Sequence, residues 1–188
     1  MDIDNDAVLA ETRAWVTRAV IGLNLCPFAK AAQVKEQIRY VVSPATNEEA
    51  LLAVLCDEAQ RLVLTPPDEV ETTLLVHPQV LADFEAFNDF LDLADAALVD
   101  MGLDGVLQIA SFHPQFQFAG TDADDIANAT NRSPWPTLHL LREDSITRAV
   151  ESFPEPERIY EANIRTLETL GVAGWLALQQ ACRRDAQR

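Results

Sequence analysis

Residues 38–78 read IRYVVSPATNEEALLAVLCDEAQRLVLTPPDEVETTLLVHP, and the order of elements in this stretch decides the fold. Residues 37–43 alternate, with Ile38, Tyr40 and Val42 on one face and Arg39 and Val41 on the other, and stop at Ser43-Pro44; this pattern is a strand. Thr46-Asn47-Glu48-Glu49 then makes a capping box. Leu51, Leu55, Ala59 and Leu62 recur at the helical period, so a helix runs to about Leu64, where Thr65-Pro66-Pro67 ends it. Val70, Thr72, Leu74 and Val76 alternate along a second strand that stops at His77-Pro78. Two strands joined through a helix form a crossover unit, and such units set their strands parallel.

Outward from this unit the plan continues. A helix of about 20 residues follows, with Leu81, Phe84, Phe87, Leu91, Ala94 and Leu98 on its buried side. Val106 to Phe112 is a nearly continuous apolar run, which fits a central strand buried on both faces, and it stops at His113-Pro114. Thr137 to Arg142 alternates as a fourth strand that presents His139 and Arg142 on opposite faces, with its direction left open. On the N-terminal side, residues 4–22 form a helix with Asp4 or Asp6 near its positive end, and Gly22 and Asn24 supply the left-handed exit. The C-terminal part is helical over Glu143 to Ser152, Arg158 to Leu170 and Val172 to about Arg184. Trp175, Leu176 and Leu178 pack this end onto the sheet or onto a second subunit, so a homo-oligomer is one expectation. The expected fold is a single α/β domain over residues 1–188. It has a mostly parallel sheet of about four strands, a βαβαβ core plus one more strand, flanked by helices. The N-terminal helix and the helical segment from about 143 to 188 pack on it.

Charge narrows the partners. Thirty acids against 14 bases give a formal net charge of −16, which opposes nucleic acid phosphates and anionic membrane surfaces. The start, MDIDNDAVLAE, lacks the cationic region and apolar run of a signal peptide, and no apolar stretch approaches the length of a membrane span. A cytoplasmic protein is expected. Cys26, Cys56 and Cys182 are far apart and odd in number, which points to reduced thiols.

The strand ends VVSP, LVHP and SFHP each finish in a polar residue followed by proline. Parallel strands bring such ends to one edge of the sheet, where open α/β sheets bind ligands; proline there equally serves only to end a strand. The loop from Pro114 to Pro136 carries Phe116, Phe118 and Trp135, which pack it, and Asn128, Asn131, Arg132 and Ser133, which offer hydrogen bonds. Arg132 has the planar fork that suits a carboxylate or phosphate. In so acidic a chain Arg39, Arg132 and Arg142 are equally served by partners within the protein. Cys26 in Asn24-Leu25-Cys26-Pro27-Phe28 precedes a proline and a short helical run, so it is placed to be an N-cap with a stabilised thiolate, with Lys30 nearby; the plain alternative is a small buried residue.

Three functions follow from these residues. In the first, an enzyme acts on a small anionic substrate at the C-terminal edge of the sheet. Cys26 is the nucleophile or redox thiol, His113 its base or proton donor, and Asn131 orients the ring; Arg132, Ser133, His139, Arg39 and Arg142 bind substrate. In the second, His113, His139 or His77 joins Cys26, Asp122 or Asp125 around zinc or iron, although none of the recognised ligand spacings occurs. In the third the chain is a non-enzymatic binding or oligomerisation module. No glycine-rich phosphate loop and no nucleophile elbow is present.

The motifs NLCPF at 24–28, FHPQFQF at 112–118 and TNRSPWPTLHLLR at 130–142 resemble those of an uncharacterised bacterial family, that of the domain of unknown function DUF1415. The resemblance spans nearly the whole chain. It implies a shared fold and a bacterial origin, and it brings no activity, substrate or cofactor.

Overall fold

The computed structural model describes residues 3–151, 155 and 157–187. Ser152, Pro154 and Pro156, which the sequence places between the first two C-terminal helical runs, lie outside the described residues. Helix α1 spans Asn5–Trp15, and Asp4 caps it, its Oδ1 accepting from the backbone N–H groups of Asp6 at 3.0 Å and Ala7 at 3.3 Å. Its continuation, Val16–Ile21, is a π-helix, closed by bonds such as Gly22 N–H to Thr17 O at 3.0 Å. Gly22 has an ordinary right-handed φ of −63°. Its role is steric, because a Cβ there would collide with the Arg18 carbonyl oxygen. The left-handed exit belongs to Asn24 alone, at φ 55°.

Short helix α2, Ala29–Val34, precedes strand β1, Ile38–Val42. Helix α3, Glu48–Leu64, is capped by Asn47 Oδ1 on the Ala50 N–H at 2.9 Å. Strand β2, Thr72–Val76, helix α4, Phe84–Asp100, and strand β3, Leu107–Phe112, follow. A 3-10 helix at Ile126–Asn131 leads to strand β4, Thr137–Arg142, then to helices α5, Glu143–Glu151, and α6, Glu157–Ala186. The expected break between the last two helical runs is a kink inside α6 at Gly171, whose φ of 67° and ψ of 171° lie in a region open essentially to glycine alone. Among the described residues no helix is long and apolar enough to cross a membrane.

The fold is α/β, but the sheet is mixed where a mostly parallel one was expected. Its order is β1-β2-β4-β3; β1 and β2 are parallel, and β4 is antiparallel to both of its neighbours. The cause is the loop after β3, which returns the chain so that β4 enters between β2 and β3. Because β4 opposes both, β3 still runs in the direction of β1 and β2, and the three polar-proline ends do share one edge. The central strands are therefore β2, fully buried, and β4, while β3 is an edge strand of intermediate burial beyond Leu107. Its apolar run has a different origin from the one expected: one face packs on α4 and the other lines a cavity.

Register divides the side chains into two faces. On the first, three rows cross the sheet: Ile38, Thr72, Leu141 and Gln108; then Tyr40, Leu74, His139 and Ala110; then Val42, Val76, Thr137 and Phe112. On the second, Leu75, Leu138 and Leu140 pack against Leu51, Leu55 and Leu62 of α3 and Phe87 and Phe90 of α4. These side chains are at most 1% exposed, and each contributes about 1.5–3 kcal/mol by leaving water. The first face is covered by α1, the π-helix and α6, through Trp15, Val16, Ala19, Leu167, Trp175 and Cys182. That cover reaches over only part of the face.

Candidate functional site

The polar residues at the three strand ends share one local role. Proline offers no N–H, so the turn that follows must be closed by the side chain before it. Ser43 Oγ accepts the Ala45 N–H at 3.1 Å, and His113 Nδ1 accepts the Gln115 N–H at 3.0 Å. His77 Nδ1 lies 3.0 Å from the Val80 carbonyl, which can only accept, so that nitrogen carries the proton. His113 carries its proton on Nε2 for the same reason, 3.2 Å from Leu81 O. Both rings are buried against Phe87. Burial pushes His113 below the ordinary histidine range and His77 down to about 4, so both are neutral near pH 7.

The polar loop residues are engaged as well. Asn131 Nδ2 donates to Ser111 O at 3.1 Å, and its carbonyl accepts the His113 N–H at 3.2 Å, which fastens the loop to the end of β3. Arg132 donates from Nε to Phe116 O at 3.1 Å and from Nη2 to Ala123 O at 2.7 Å; burial lowers its pKa from the ordinary value. Ser133 Oγ donates to Trp135 O at 2.6 Å. Arg39 forms a two-pronged pair with Glu58, at 2.7 and 2.9 Å, which holds the guanidinium charged. These four residues, with His113, join parts of the protein to each other.

The first face offers a different arrangement. A cavity of about 570 Å³ lies between the first two rows of the sheet and the helical cover. Its floor includes Thr72, Leu74, Leu141, Gln108, Ala110 and His139; Trp15, Val16 and Val20 form one wall, and Cys26, Phe28 and α2 another. The π-helix helps make this wall, in keeping with the tendency of such helices to occur at functional sites. Helix α5 closes the end beyond the first row, where Lys35, Gln37, Glu71, Ser145 and Arg148 gather. At the other end Trp15 meets Phe112 edge to face, with centroids 5.3 Å apart. The cavity thus has an apolar end and a polar end, and the polar end lies at the starts of β1, β2 and β3, opposite the edge that carries His77 and His113.

Of the residues singled out in the sequence, Cys26 and His139 line this cavity, and Arg142 borders it from β4 with its guanidinium on the opposite face; His113, Asn131, Arg132, Ser133 and Arg39 do not line it. Cys26 is half-buried. The cap of α2 is Phe28, with no side-chain hydrogen bond, so Cys26 stands upstream of the helix instead of capping it. Arg142 Nη2 donates to Leu62 O, Thr65 O and Val70 O at 2.7–2.9 Å, tying the end of α3 to the lead-in of β2. Among the described residues no group of three or more His, Cys, Asp or Glu side chains is placed to hold a metal ion.

His139 is the polar group at the centre of the floor. Its Nε2 is 2.7 Å from Thr72 Oγ1, and that hydroxyl donates to Leu140 O at 2.6 Å. The hydroxyl has one proton, and the carbonyl has none to give. Nε2 must therefore donate to Thr72, which leaves Nδ1 as the lone-pair nitrogen. Protein surrounds the ring, and burial pushes its pKa down to about 4; its remaining exposure is to the cavity. Thr72, Lys35, Arg148 and Ala110 carried no motif. The signal that finds them is parity: Thr72 and Ala110 share a strand face with His139 once the register is known, and Lys35 and Arg148 flank the strand ends nearest that face.

No curated protein and no solved structure matches the chain. A family model described as a protein of unknown function, DUF1415, matches residues 7–177, and the chain belongs to that family.

Proposed function

We propose that the protein binds a small, largely apolar organic carboxylate in the cavity on the first face of the sheet. One observation carries this reading. The polar end of an otherwise apolar cavity is bordered by two cations, Lys35 and Arg148, against one carboxylate among the described residues, Glu71, in a chain with 30 acids and 14 bases. A local excess of positive charge against that background favours an anionic head group. The volume falls within the range of about 300–1,000 Å³ typical of small-molecule sites. Lys35 and Arg148 are exposed, so they steer and orient the head group, and burial of the apolar body supplies most of the affinity.

Thermal stabilisation by straight-chain carboxylates tests this. Each methylene taken into the cavity contributes about 0.8 kcal/mol, a factor of roughly four in affinity, so stabilisation rises with chain length until the cavity is filled. The matching alkanols stabilise less. No dependence on chain length, or alkanols equal to the acids, contradicts the reading.

A second reading, an enzyme acting on that same ligand, is favoured by the presence of Cys26 and His139 in one lining, a thiol and a neutral imidazole. It requires that bound ligand cover Cys26. Decanoate is then expected to slow iodoacetamide alkylation of Cys26 several-fold while Cys56, on α3, reacts as before. Equal rates for Cys26 with and without decanoate rule this out.

A further inference from the structure

The His139–Thr72 pair says more about the ligand than its charge and size. Nδ1 of His139 has no hydrogen-bond partner among the described residues, and unlike His77 Nε2 it is not sealed from water. It faces the cavity that the ring lines. Its tautomer is not free to change, because Thr72 Oγ1 gives its only proton to Leu140 O and so holds the His139 proton on Nε2. The cavity floor therefore presents one fixed acceptor. Water can satisfy it in the free protein, but a ligand that fills the cavity displaces that water and must replace its hydrogen bond or lose affinity.

Position fixes where along the ligand the replacement must come. Lys35, Glu71 and Arg148 mark the end of the cavity beyond the row of Ile38, Thr72, Leu141 and Gln108. His139 belongs to the next row, two residues along β4 and so about 7 Å further in. Beyond it lie Trp15 and Phe112, whose side chains line that end.

We propose, building on the carboxylate reading above, that the ligand carries a neutral hydrogen-bond donor, a hydroxyl in the first instance, about 7 Å from its carboxylate, received by Nδ1 of His139. The ligand class is then a hydroxy acid with a mid-chain hydroxyl and an apolar remainder. Thr72 and His139 act as a pair in its recognition: Thr72 sets the tautomer and His139 receives the donor.

Calorimetric titration with decanoate, 6-hydroxydecanoate and 10-hydroxydecanoate separates the alternatives, since the three share one chain length. Wild-type protein is expected to bind 6-hydroxydecanoate roughly three- to tenfold more tightly than decanoate. The 10-hydroxy acid gains no such preference over decanoate, because its hydroxyl lies beyond the reach of Nδ1 of His139. In His139→Phe, where Thr72 keeps its bond to Leu140, the preference for 6-hydroxydecanoate disappears and decanoate still binds. If decanoate binds and 6-hydroxydecanoate binds no more tightly, the donor inference fails and the carboxylate reading stands. If none of the three acids binds, both fail. A preference that survives in His139→Phe also overturns the inference. Should that variant not fold, the imidazole nitrogen resonances of wild-type His139 decide: Nδ1 must shift with 6-hydroxydecanoate and much less with decanoate, and equal shifts contradict the proposal.

Discussion

His77 is fully buried, with Nδ1 on Val80 O and Nε2 without a partner among the described residues. A second proton on this ring enters apolar surroundings beside Phe87 and near His113. Its pKa in the folded protein is about 4, against about 6.5 unfolded. The unfolded chain binds the proton first as pH falls, so the stability that neutral His77 confers is complete above pH 6.5 and is lost as pH drops toward 4. The slope is up to about 1.4 kcal/mol per pH unit. Protonation of the many carboxylates relieves repulsion over part of the same range, so the measurable quantity is the difference between variants. Denaturant unfolding of His77→Phe from pH 7 to 4.5 is expected to show a shallower loss of stability than wild type, whatever its stability at pH 7. Parallel curves contradict this. At this scale the sequence was informative about place and not about role. The series Ser43, His77 and His113 is visible as three polar-proline endings, yet that each side chain closes its own turn depends on backbone atoms two or three residues ahead. The tautomer of His139 was equally out of reach, because it is set by Thr72 on another strand.

At the scale of elements, β4 sets the arrangement. Thr137, Leu138 and Leu140 are buried, and the strand joins the parallel pair to β3. Arg142 at its end then ties three carbonyls from two other segments with one nitrogen. Replacing it with Met keeps the stem and removes those donors. Arg142→Met is expected to cost about 2–3 kcal/mol, a fall in Tm of roughly 5–10 °C for a chain of this size, read by thermal unfolding. A change within about 1 °C would show that the three bonds are dispensable. The sequence made the elements themselves legible: a cap at Asp4 or Asp6, the strand alternation from Ile38 to Val42 and the break at Gly171 are local properties, while the cap of α3 is Asn47, one residue beyond the Thr46 that a capping box over residues 46–49 calls for. The position of β4 was not, because it depends on how the loop through Arg132 and Asn131 folds back. For the same reason Val106 to Phe112 looked central, since a lining of a cavity and a lining of a core both select apolar residues.

For the molecule as a whole, the main core packs on the second face and the helical cover of the first face is incomplete, and the uncovered part forms a cavity with one charged end and one aromatic end. Cys26 and His139 were singled out in the sequence and do line it; the cavity itself is a property of how α1, the π-helix, α2 and α5 lie over the sheet, and no single stretch encodes that. Recognition of the acid requires that this space be its binding site. Ala110 lies in the same row as His139 on its floor, so Ala110→Phe places a ring inside the cavity without removing any hydrogen bond. Calorimetric titration of decanoate into wild-type and Ala110→Phe protein tests the claim most directly. The account predicts saturable single-site binding to wild type with a negative heat-capacity change, and at least a tenfold loss in a variant that still unfolds cooperatively; equal affinity in the two proteins would contradict it.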